Sequence, residues 1–165
     1  MKTLNSIVLL IFAFTTTLIY SQSGSASDDN TTNVNTSNSS IRSIHSESLK
    51  YIEAFEEKGF EILRVEQDII LNEAKRSLRS LHKGVEYVIV VFGDKRIKDM
   101  HLTLNKFNVN TKQFERVKSD RKTDPFALVS VTPTQTTPYQ FVIEVNSFSN
   151  SYDAAHYGLI VMRKN

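Results

Sequence analysis

Two aspartates and two histidines carry the residue types from which a metal or acid–base site could be built: Asp94, Asp99, His101 and His156. Asp99 and His101 stand two apart in KDMHLTL, and on a strand that spacing puts both side chains on one face. With Asp94 from the preceding turn they form a candidate cation site, Asp94, Asp99 and His101, to which His156 would add a ligand. Carboxylates suit a hard cation such as Ca²⁺, whereas imidazole suits softer transition metals. Such a set would serve a metal-dependent hydrolase or a Ca²⁺-stabilised module.

Other chemistry finds little support. Asp153, His156 and any of many serines hold the types of a nucleophilic triad, but no GxSxG elbow presents a serine. No histidine falls in an HExxH or zinc-finger spacing. Gly59, Gly84, Gly93 and Gly158 are isolated, so no glycine-rich loop could cradle phosphate. Asp120 and Asp124 could ligate Ca²⁺ from a loop, yet Arg121 and Lys122 between them cut the negative charge, which favours a solvated turn. The chain has no cysteine, which removes disulfides, thiol nucleophiles and cysteine metal sites together. Tyr87, Phe126, Tyr139, Phe141 and Tyr157 lie on expected strands without the neighbouring basic positions of an RNA-stacking sheet.

The elements that must position these residues follow a leader and a tether. Residues 1–21 read as a secretory signal peptide, with Lys2 followed by IVLLIFAFTTTLIY from Ile7 to Tyr20. That stretch is shorter than the ~20 apolar residues of a membrane span. Residues 22–40 are almost wholly Ser, Thr, Asn, Asp, Gln and Gly, which cannot offset the entropy of ordering and read as a flexible tether. Sequons at Asn30, Asn35 and Asn38 come cheaply in such a tract, so a plain spacer is favoured over a glycosylated stalk. Over 165 residues, 20 Lys+Arg against 18 Asp+Glu leave +2, too little to commit the protein to nucleic acid or acidic lipid.

From 41 to 58 apolar residues return at helical spacing (Ile44, Leu49, Ile52, Phe55) opposite an acidic face. An amphipathic helix is expected there, capped by Ser46 or Ser48, stopped by Gly59 and docked on its own domain. Strands are expected near 60–65, 101–104, 113–117, 126–131, 139–145 and 157–162, with Asn105 as a turn residue. Residues 85–92 (VEYVIVVF) read as a central strand buried on both faces. The stretch 69–83 is open: Glu, Ala, Lys, Arg and Leu favour helix, while 77–81 also alternates. The fold class is mainly β, an antiparallel β-sandwich of jelly-roll kind over 59–165, preceded by one N-terminal amphipathic helix.

The segments LHKGVEYVIVVFGD (81–94), KDMHLTLN (98–105), SDRKTDPFALVSVTP (119–133) and PYQFVIEV (138–145) resemble, in this order, the bacterial pre-peptidase C-terminal domain and related small exported sandwich proteins. The resemblance covers about half of the chain. It implies a jelly-roll sandwich, non-catalytic, serving attachment, substrate binding or secretion. It also implies a strand over 76–81, and Ca²⁺ on the carboxylates of a D-x-D-L motif. Asp99 matches the first of those acids, but His101 stands in place of the second and Asn105 in place of another. The reading is therefore a non-catalytic exported protein, periplasmic, secreted or at the cell surface, with no membrane span after signal cleavage. Its partner would be an extracellular or periplasmic protein or glycan, with no nucleic acid. No cofactor is expected, Ca²⁺ being the one option the carboxylates leave. The alternative is the metal-dependent hydrolase or Ca²⁺-stabilised module built on Asp94, Asp99, His101 and His156.

Overall fold

Valine, isoleucine and aromatics run without interruption from Tyr87 to Phe92, and the structure shows what each face of that strand meets. The structure, a computed structural model, describes residues 40–165. The signal peptide expected at 1–21 and the tether up to residue 39 lie outside the described residues. The elements are α1 (Ser40–Glu56), β1 (Phe60–Ile70), β2 (Lys75–Leu81), β3 (Tyr87–Gly93), β4 (Ile97–Asn108), β5 (Gln113–Asp120), β6 (Phe126–Val131), β7 (Thr137–Phe148) and β8 (Ala155–Lys164).

Every ladder is antiparallel, and the strands form two four-stranded sheets of order β1-β8-β3-β6 and β2-β7-β4-β5. The pairs β1·β8, β2·β7, β3·β6 and β4·β5 nest inside one another, as in a single long hairpin rolled up until alternate pairs fall in opposite sheets. That order is a jelly roll.

Between the sheets, Tyr87, Ile89, Val91, Leu159 and Val161 meet Leu102, Leu104, Phe141 and Ile143. The opposite face of the first sheet presents Val88, Val90, Phe92, Ile160 and Met162, and α1 covers it with Ile44, Tyr51, Ile52 and Phe55. β3 thus lies between two apolar layers, which is why it does not alternate. Each fully buried aliphatic side chain contributes ~1.5–3 kcal/mol, so docking α1 is a substantial part of folding.

The helix meets the sheet at Gly158. A Cβ built there would lie 2.3 Å from Cζ of Phe92, whose ring in turn packs 5.0 Å from that of Tyr51. Gly158→Ala is expected to destabilise by about 1–3 kcal/mol through overpacking, read as a lowered urea midpoint with an unchanged m-value.

Several expectations change in detail. The helix begins at Ser40, so neither Ser46 nor Ser48 caps it. Ser48 is buried in mid-helix, donating to the Ile44 carbonyl at 2.8 Å and accepting from Gln67 Nε2 at 2.9 Å. It takes the inward place expected of Leu49, which is 46% exposed. Gly59 does stop the helix, with φ 77° and its N–H on the Glu56 carbonyl. At 69–83, open between helix and strand, the strand that the resemblance implies over 76–81 is the one found: Lys75–Leu81 is an edge strand paired residue for residue with β7, because ladder pairing overrides local propensity. β1 and β4 outrun their expected bounds, since bulges at Ile62/Arg64 and between Ile97 and Asp99 break the alternation. Asn105 is no turn residue; it lies inside β4 and its amide donates to Gln140 Oε1 at 3.2 Å.

Candidate functional site

Asp94 follows β3, at a turn that reverses the chain into β4. Its carboxylate is almost wholly buried. Oδ1 accepts the backbone N–H of Arg96 at 2.9 Å and Arg96 Nε at 3.0 Å. Oδ2 accepts the backbone N–H of His156 at 3.0 Å together with the Arg96 guanidinium. Arg96 Nη2 also reaches His156 Nδ1 at 2.9 Å. Burial pushes the Asp94 carboxyl up, but the Arg96 side chain and the two backbone donors outweigh it and hold the group below its ordinary value. Hydrogen bonding to Asp94 raises Arg96 in turn. This is a lock that fastens the β3–β4 turn to the start of β8. A cation at Asp94 would have to displace a guanidinium that already occupies both oxygens.

Asp99 and His101 do meet, as their spacing implies: His101 Nε2 lies 3.3 Å from Asp99 Oδ1. The alignment is not that of a hydrogen bond, and Oδ1 is otherwise without a hydrogen-bond partner. Oδ2 accepts Asn146 Nδ2 at 2.7 Å. The four residues singled out from sequence therefore form two pairs, Asp99 with His101 and Asp94 with His156, the latter 3.7 Å apart. Among the described residues no group of three or more His, Asp or Glu is gathered closely enough to hold a metal ion. Asp120 serves the chain itself, accepting the backbone N–H groups of Lys122 and Leu128.

A third feature is not a pocket but a surface. Residues directly opposite across an antiparallel pair share a face, so the register assigns the outer face of the second sheet. One row runs Leu78, Gln140, Asn105, Arg116, and the next runs Arg76, Val142, Thr103, Ser119. His101 and Glu144 continue it, with Arg121 3.6 Å from Glu144. Arg76, Arg116 and Ser119 are exposed, and Leu78 is 60% exposed. The one helix among the described residues packs on β1 and β8, and leaves this sheet open. The sequence reading missed this surface because its residues come from four separate strands and share no motif.

A second exposed area follows α1 and the edge strand β1. Ile41, Leu49, Val65, Ile69 and Leu71 are all exposed there, beside a groove of ≈ 430 Å³ lined by Ile41, Arg42, His45, Ser46, Leu49 and Gln67.

These features define a small jelly-roll β-sandwich with one face closed by a helix and the other open. No family model matches the chain, and no curated protein matches it in sequence. Among solved structures it is similar to the Yersinia pseudotuberculosis-derived mitogen, at 18% identity and TM-score 0.46 over 61% of this chain and 84% of that one. It is also similar to PliG of Aeromonas hydrophila, a periplasmic inhibitor of g-type lysozyme, at 8% identity and TM-score 0.45 over 65% and 90%. Likeness at this level concerns the arrangement of strands alone.

Proposed function

We propose that this protein is a non-catalytic, exported β-sandwich that acts as a binding or accessory module, of the kind that the resemblance to pre-peptidase C-terminal domains implies. The observation that carries this reading is the asymmetry of the sandwich: α1 closes the outer face of one sheet, while the other presents an ordered grid of amide, hydroxyl, arginine and aliphatic side chains. The buried acid Asp94 is spent on Arg96 and two backbone donors, a structural use. A hydrolase built on Asp94 would first have to dismantle that lock. Export rests on the leader at 1–21 and the polar tract that follows it.

The test is a glycan and peptide array probed with the full exported chain. A ligand is expected whose binding is lost in Gln140→Trp, which crowds the middle of the open face without adding charge, and kept in Leu49→Arg on the helix. Hydrolysis of an ester, peptide or glycoside substrate that disappears in His101→Ala would overturn the reading.

A further inference from the structure

We infer that the open outer face of the β2-β7-β4-β5 sheet docks an acidic segment of another protein, gripped by Arg76 and Arg116; this rests on the binding-module reading above. Charge carries the argument. Besides Asp99, the acid on the mapped rows of this face is the half-buried Glu144, and Arg121 already lies 3.6 Å from it. Asp99, beside His101, is buried and engaged by Asn146. Arg76 and Arg116 have no acidic group within ion-pairing distance and stand on opposite edge strands. Three inter-strand gaps of ~4.8 Å put them roughly 14 Å apart across the sheet. Between them lie Asn105 and Gln140, half-buried amides that cost little to bury further once matched, and Val142 and Thr103, which are already buried.

Composition favours protein over an acidic glycan. The basic groups on these rows are arginines, which are enriched at protein interfaces where lysine is depleted. A guanidinium presents a planar fork that pairs bidentately with the carboxylate of Asp or Glu. Leu78 and Phe114, exposed at two corners of the face, add the apolar contact that a protein segment can answer. The mapped rows span roughly 19 by 20 Å on strand geometry, about half of the ~800 Å² that one partner contributes to a standard interface. An interface of that size is transient and leans on charge.

The experiment measures binding of fluorescent poly-L-glutamate to the full exported chain by anisotropy, at low and high salt, with polygalacturonate as the acidic-glycan arm. Binding to poly-L-glutamate is expected, weakened by salt and weakened roughly tenfold or more in Arg76→Glu/Arg116→Glu. Arg76→Lys/Arg116→Lys should fall between the two, and Arg42→Glu on α1 should bind as the parent does. All these positions are exposed, so equal melting temperatures confirm that the variants fold. Failure of the parent to bind poly-L-glutamate overturns the inference, as does equal loss in Arg42→Glu, or preference for polygalacturonate. If the array then gives a neutral ligand that Gln140→Trp abolishes, the partner is wrong and the binding module stands. If neither probe nor array yields a ligand, both readings fall.

Discussion

Asp94→Ala is expected to lower the unfolding free energy by about 3 kcal/mol. The substitution removes the acceptor of the Arg96 and His156 backbone N–H groups and strips Arg96 of its counter-ion. Removing one partner of a buried ion pair costs ~3–5 kcal/mol. The low end applies here because Arg96 is 21% exposed and water recovers part of its hydration. Asp94→Asn should cost less, since its amide oxygen can still accept one of the backbone donors. Urea unfolding at neutral pH measures both.

The same group sets a pH signature. Its folded pKa lies below the unfolded value of ~3.9, so its stabilisation is complete above that pH. It is lost as pH falls below ~3.9 toward the folded value, where the native carboxylate is protonated as well. The parent should therefore lose stability more steeply than Asp94→Ala in that acid window, and the two curves should converge. An acid limb of equal slope in both proteins would show that the lock does not operate in solution.

The second large effect is expected at the helix–sheet seam. Phe92 is 2% exposed, packs against Tyr51, and fills the space over Gly158. Phe92→Ala removes a buried ring and leaves a cavity, at a cost of ~3–5 kcal/mol. The melting temperature should fall by roughly 10–20 °C for a domain of this size. A double-mutant cycle supplies the sharper test. In the Phe92→Ala background Gly158→Ala has room for its methyl group, so it should cost far less than in the parent or even stabilise. Additive costs would mean that the ring does not press on Gly158 in solution.

The expectations drawn from sequence succeeded where one force dominated. Residues 126–131, bounded by Pro125 and Pro133, form β6 with those limits. Of the run expected as a central strand at 85–92, residues 87–92 are strand and buried on both faces, because nothing else can bury so much β-branched surface, while Val85 and Glu86 precede the strand. Where edge strands carry polar residues, the pattern was thin: β1 continues through Glu66, Gln67 and Asp68, and β2 is spelled in helix-forming residues. Pairing with β8 and β7 makes them strands, and pairing is a property of the partner. The site reading divided in the same way. Asp99 and His101 meet because period-two geometry is local. Asp94 turned instead to Arg96 and to the backbone of His156, sixty-two residues away in sequence.

Local chemistry by itself settled that this chain is a β-sandwich behind one amphipathic helix, since hydrophobic period depends only on neighbours along the chain. Only the tertiary structure decided which sheet the helix covers, and so which face is left to meet a partner. The reason is that strands far apart in sequence become neighbours on closing the roll. The charge of the open face is the sum of what four of them place on one side.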